Sequence, residues 1–172
     1  MLKNTFVPGT NTTHTMKRLL SFALLLPALA VAKVPVEEDI LDRITDTSSP
    51  YYYTGLMMRY NAGDETDEDY HYLYYGYAYQ DAYKPLNTNP DLDRVLLLAS
   101  GLDPDAPDVG TLEAIISAGT DALARDPFSP KLLNLMSYAY GALGDKERER
   151  AYSNRMNGIV RTILSSGDGF TQ

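Results

Sequence analysis

Tyr51-Tyr52-Tyr53-Thr54-Gly55-Leu56-Met57-Met58-Arg59-Tyr60 opens a stretch that resumes, after a short acidic break, as Asp67-Glu68-Asp69-Tyr70-His71-Tyr72-Leu73-Tyr74-Tyr75-Gly76-Tyr77-Ala78-Tyr79. With Tyr83 it gathers eleven of the chain's fourteen tyrosines into 33 residues. The spacing predicts a helix over Tyr51–Tyr60, closed by Asn61-Ala62-Gly63 as a left-handed cap. Thr66 is the natural cap of a following helix, with Asp67, Glu68 and Asp69 set favourably at its positive end. That helix is expected to reach about Tyr83 and to stop before Pro85. On it Tyr70, Tyr74 and Tyr77 share a face with Leu73, while Tyr72, Tyr75 and Tyr79 occupy another. A helix apolar nearly all round is buried by several neighbours. The expectation is therefore a tyrosine-rich core whose hydroxyls reach water or backbone carbonyls at its edges. The alternative is an exposed groove lined by Tyr51, Tyr52, Tyr53, Tyr72 or Tyr75, since tyrosine offers a rigid, amphipathic surface at low entropy cost.

Outward from this block the chain reads as helices separated by short punctuated loops. Val36, Ile40, Leu41 and Ile44 form one face of a short N-terminal helix, which Thr47-Ser48-Ser49-Pro50 ends. Asp91–Ala99 is a further short helix, and Gly101–Gly110 an acidic, proline-broken loop. Leu112, Ile115, Ile116, Gly119, Leu123 and Ala124 then recur at helical spacing. After the turn Asp126-Pro127-Phe128-Ser129-Pro130, helices are expected over Lys131–Leu143 and from about Lys146 to Leu164.

Leu133, Met136, Ser137, Tyr140 and Gly144 fall at the spacing of the first helix and turn of a tetratricopeptide repeat, which this stretch resembles. A small residue at Ser137 lets two helices approach, and Tyr140 fills the groove beside it. The following helix departs from the pattern: Glu149 stands where a small alanine is wanted, and Ala151 comes two residues late. The likeness covers about one repeat and implies helix-turn-helix architecture. Gly76-Tyr77-Ala78-Tyr79 echoes Ser137-Tyr138-Ala139-Tyr140, as if both helices solved one packing problem. The expected class is all-α, built from antiparallel helix-turn-helix pairs in a tetratricopeptide-like arrangement.

Residues 51–172 as a whole resemble a family of secreted bacterial proteins known only as a domain of unknown function. The likeness rests on Tyr51-Tyr52-Tyr53, Leu56-Met57, Arg59-Tyr60, Gly63-Asp64 and Leu73-Tyr74-Tyr75-Gly76. It continues through Tyr83-Lys84-Pro85, Asp126-Pro127-Phe128, Leu143-Gly144-Asp145 and Ser166-Gly167-Asp168-Gly169. Similar proteins continue past this last motif, so the chain is expected to be short at its C-terminus. The resemblance implies a fold and a compartment, and no chemistry.

The N-terminal end carries an address. Met16-Lys17-Arg18 is basic, Leu19–Leu26 almost wholly apolar, and Pro27 is followed by the small residues Ala28, Ala30 and Ala32. That order is a secretory signal, with an apolar run shorter than the roughly 20 residues of a membrane span. Residues 16–32 are expected to be removed by cleavage after Ala30 or Ala32, and residues 1–15 to be an extension upstream of the start at Met16. Residues 33–172 then form a single α-helical domain, exported to the periplasm or the extracellular space, with no membrane attachment after cleavage. Removing residues 1–32 takes away Lys3, Lys17 and Arg18 and no acid, leaving 12 basic against 23 acidic residues and a formal charge of −11. Such a chain is repelled by phosphate backbones, so nucleic acid is a poor partner. The absence of cysteine excludes disulfides, thiol catalysis and thiolate metal sites. About 140 residues are enough to bury a core without staples.

Catalytic constellations are thin. His14 leaves with the signal, so His71 is the one histidine of the exported chain. A serine–histidine–carboxylate triad would need it, and no Gly-x-Ser-x-Gly elbow is present. With no glycine-rich phosphate loop and no His-x-x-x-His pair, neither cofactor nor metal is expected. The acidic stretches Asp64–Asp69 and Asp103–Asp108 lack calcium-loop spacing and read as solvated loops. The acids offer many candidate pairs for a glycosidase, and nothing singles one out. Arg59, amid apolar and aromatic residues, is expected to pair with Asp64 or Asp69, because an unpaired charge there is costly. The candidate ligand-binding set is Tyr51, Tyr52, Tyr53, Arg59, Tyr72 and Tyr75. The expected role is binding, with another protein as partner in a groove between helices and a glycan second. The competing class is a hydrolase of unknown substrate that uses His71 or a carboxylate pair.

Overall fold

A computed structural model describes residues 33–167. The expectations for residues 1–15, for the signal at 16–32 and for Asp168-Gly169 lie outside them. The described residues form seven α-helices and no strand: α1 Glu37–Thr45, α2 Tyr53–Ala62, α3 Asp67–Tyr77, α4 Pro90–Ser100, α5 Val109–Arg125, α6 Pro130–Ala142 and α7 Lys146–Ser165. The all-α class read from the sequence is the class observed.

Several helix boundaries have a local chemical cause. Thr66 and Asp69 form a reciprocal capping box at the start of α3: the Asp69 N–H donates to the Thr66 hydroxyl and the Thr66 N–H to the Asp69 carboxylate. Asn89, Asp108 and Asp145 accept from the first turns of α4, α5 and α7. Proline opens α4 and α6, where its missing N–H has no intrahelical partner to lose. Gly63 and Gly144 end α2 and the α6 turn at φ 81° and 84°, a left-handed conformation that only glycine adopts without strain.

Three expectations are corrected. Val36 precedes α1 and is 58% exposed, so the buried face of that helix is Ile40 and Ile44. The second helix begins at Tyr53, because Ser49 captures the N–H groups of Tyr51 and Tyr52 in a turn. The third stops at Tyr77 and does not reach Tyr83. There the Gln80 side-chain amide and the Tyr79 N–H both donate to the Gly76 carbonyl, and successive tight turns carry the chain away.

The helices enclose two cores. One joins α1, α2, α3 and α7 around Leu56, Tyr60, Tyr70, Leu73 and Ile159, with Phe128 and Leu133 from the other half. The second joins α4, α5 and α6 around Val95, Leu112, Ile115 and Leu132. Leu123 of α5 packs against both. α6 and α7 run antiparallel across the Gly144 turn, where the Ser137 hydroxyl donates to the Glu149 carbonyl at 3.0 Å and Tyr140 stacks on Tyr152 at 5.4 Å. Glu149 lies over Gly141, where a β-carbon would sit 2.7 Å from its carboxyl carbon. Glu149 thus fits the α6–α7 interface because the facing helix carries a glycine at that point. α7 crosses α3 at Gly158, whose missing side chain makes room for the Tyr70 ring. At one end of α7 the Lys33 N–H donates to the Ser165 carbonyl at 2.7 Å, and the Lys33 ammonium pairs with Glu68.

Candidate functional site

The tyrosine block is divided between core and surface. Tyr60, Tyr70, Tyr72 and Tyr77 are buried, while Tyr79 and Tyr83 are exposed. The buried hydroxyls are spent inside the protein: Tyr60 donates to the Pro127 carbonyl, Tyr77 to the Arg125 carbonyl, Tyr70 to Glu65 and Tyr72 to Asp39. Burial, together with the Asp39 bond, pushes the Tyr72 hydroxyl up to about 12, so it remains a neutral donor at ordinary pH.

The six candidate residues do not form one site. Tyr51 stacks on Tyr72 at 4.3 Å, and Tyr72 and Tyr75 each meet the His71 ring edge-on at 5.1 Å. Tyr52 stands at the N-terminal boundary of α2, and its side chain makes no capping bond there. Arg59 is spent on protein partners: its guanidinium donates twice to Asp69, at 2.7 and 3.1 Å, and once to the Pro50 carbonyl at 2.8 Å. Of the two acids proposed for it, Asp69 is the partner. Burial alone would raise the Asp69 carboxyl, but the bonds from Arg59 and Thr66 outweigh it and hold the group below its ordinary range. His71 is 5% exposed, and its Nδ1 has no partner among the described residues. Burial, and then the Lys33 charge, lower its pKa and keep the imidazole neutral.

Tyr53 belongs to a different feature. A groove of about 600 Å³ runs between α2, α5, α7 and the turn after α3. Its walls are Tyr53, Met57 and Tyr60 from α2, Leu123 from α5 and Tyr152 from α7, with Gln80, Asp81 and Asn61 at the rim. The Tyr53 hydroxyl is buried without a partner among the described residues, and burial pushes its pKa well above the ordinary value. Arg155 reaches in from α7, 4.7 Å above the Tyr60 ring and 5.6 Å from that of Tyr152, and donates to the Tyr60 carbonyl at 2.7 Å. A second depression, of about 490 Å³, lies on the other side of Arg155 and is lined by Gly63, Glu65, Lys146 and Arg150. An aromatic trough with planar polar groups at its edge suits a ligand that offers both apolar surface and hydrogen-bonding groups.

Tyr60, Tyr152 and Arg155 were not in the candidate set. Tyr60 lay within the block that drew notice, but Arg155 is 95 positions away in sequence, and nothing local marks it as its neighbour. Elsewhere, burial raises the Asp126 carboxyl despite bonds from the Phe128 N–H and the Ser129 hydroxyl. Those bonds belong to the turn that joins α5 to α6. Among the described residues no group of three His, Asp or Glu side chains is placed to hold a metal ion, and no helix is long and apolar enough to cross a membrane.

The fold and groove define an all-helical domain with a concave aromatic surface. Residues 38–172 match the model of a family described as a domain of unknown function, DUF4919, and the chain belongs to that family. No curated protein and no solved structure matches it.

Proposed function

We propose that this chain is an exported, tetratricopeptide-like helical domain that acts by binding a segment of another protein in the groove between α2, α5 and α7. The observation that carries this is the groove's lining: Tyr53, Met57, Tyr60 and Tyr152, from two helices far apart in sequence, converge on one open trough. Aromatic and methionine side chains are the types enriched where proteins grip one another. The enclosed state of His71 and the anchoring of Arg59 favour binding over hydrolysis. The acidic charge disfavours nucleic acid. The basic, apolar and small-residue order of residues 16–32 supports export, and mass reading of the processed N-terminus should give Val31 or Lys33.

Probing arrays of random nonapeptides with the purified chain tests the binding role. Capture of a sequence-related peptide set, lost in Met57→Glu and Tyr152→Ala, is the expected result. Peptide capture that survives both substitutions would move the site elsewhere. A second occupant, a glycan, is favoured by the planar polar groups of Asn61, Gln80 and Asp81 at the rim, which could meet sugar hydroxyls. Retention on a glycan array with no peptide captured would decide for it.

A further inference from the structure

Resting on the peptide-groove reading above, we infer that the bound segment carries an internal Asp or Glu side chain which it presents to Arg155, with apolar side chains next to it in the tyrosine trough. Arg155 is positioned for such a role. Its Nη2 donates to the carbonyls of Tyr60 and Asn61 at 2.7 and 3.4 Å, and its guanidinium lies over the rings of Tyr60 and Tyr152. Stacking and carbonyl bonds fix the plane of the group, so little freedom is lost when a ligand meets it. The donors on Nε and Nη1 have no protein acceptor among the described residues.

The contrast with other arginines of the fold is chemical. Arg43, Arg59, Arg125, Arg148 and Arg161 each meet an aspartate within ion-pair distance. Among the described residues Arg94, Arg150 and Arg155 meet none, and of these three Arg155 alone lines the tyrosine groove. Glu65 and Glu147 share the second depression; one Glu65 oxygen accepts from the Tyr70 hydroxyl and the other is buried without a partner among the described residues. Arg150 lines the same depression, and Lys146, also there, is held by Glu149. The free edge of the Arg155 guanidinium is thus set beside acids of its own chain, in a molecule of net charge −8, a setting that admits one or two acidic side chains and rejects a long acidic run.

Both depressions are open and Arg155 lines each, so the proposal runs the segment past Arg155 and assigns the carboxylate to an internal side chain and not to a chain end.

The test uses the full chain against arrays of random nonapeptides acetylated at one end and amidated at the other, so that every carboxylate belongs to a side chain. Captured peptides should be enriched in one Asp or Glu beside an aromatic or aliphatic residue. In a captured peptide, Glu→Gln should weaken binding about tenfold to the native chain and less than twofold to Arg155→Gln. Arg155→Lys, which keeps the charge and spares the fold, should retain the preference for Glu over Gln. Peptide capture with no acid enrichment, or an equal Glu→Gln loss in native and Arg155→Gln chains, would overturn this inference and leave the peptide groove standing. No peptide captured, with a uronic-acid oligosaccharide retained in its place, would overturn the groove reading and this inference with it.

Discussion

Arg59 and Asp69 tie α2 to the first turn of α3, and Asp69 does two tasks at once: it closes the capping box and answers the guanidinium. Its side chain is 4% exposed while that of Arg59 is 35% exposed, so removal of the arginine leaves the more deeply buried charge alone. Arg59→Ala should cost about 2 kcal/mol in urea unfolding, below the range for fully buried pairs because the guanidinium touches water. The pH dependence has two steps. His71 has a folded pKa below its ordinary 6.5, so the unfolded chain takes up the proton first. Stability is full above pH 6.5 and falls as the pH drops toward the folded value. Asp69, together with Asp39, Asp46 and Asp108, which are also held low, adds a second loss below about pH 4 as the pH falls through their folded values. Urea titrations from pH 8 to 3 should show both steps, and His71→Phe should abolish only the first. The Arg59 partnership was legible because the costly charge and two nearby acids lie within ten residues. Arg155 was not, since its value comes from a tyrosine ring on a helix that only the tertiary fold brings near.

The elements meet through glycines that differ in what they face. At Gly158 of α7 a β-carbon would lie 2.3 Å from the Tyr70 ring, a rigid group fixed by its bond to Glu65. At Gly119 of α5 it would meet the Met136 sulfur at 2.4 Å, the flexible end of a chain that can rotate aside. Gly158→Ala should therefore destabilise by about 3 kcal/mol. Gly119→Ala should cost less than about 1 kcal/mol, since helix propensity offsets part of the clash. Chemical denaturation of the two variants side by side measures the difference. Helix positions were readable from periodicity and caps because those signals lie within a few residues of each boundary. The end of α3 was not, because Gln80 reaches back to the Gly76 carbonyl, and a glutamine side chain carries no such instruction in sequence. The glycine at 141 likewise explains how Glu149 fits the α6–α7 pair, a compensation visible only once the two helices face each other.

Across the whole molecule the tyrosine block turns out to be neither all core nor all surface. Brief nitration of the folded chain should modify Tyr79, Tyr83 and Tyr138 first, at 42%, 40% and 38% exposure, and spare Tyr60, Tyr70 and Tyr72. Mapping by mass spectrometry checks this, and fast modification of the second set would refute the packing described. The division was not legible beforehand because α3 is aromatic on every side, so composition says that it is enclosed but not by which neighbours. The bond from Lys33 to the carbonyl of Ser165 has a consequence for engineering. The two ends of the described residues are adjacent, so a reporter fused at Lys33 should emerge from the same spot as one fused at Gly167. A circular permutant that joins them through a short glycine-serine bridge and opens the chain in the loop at 101–108 should fold and keep its binding face intact.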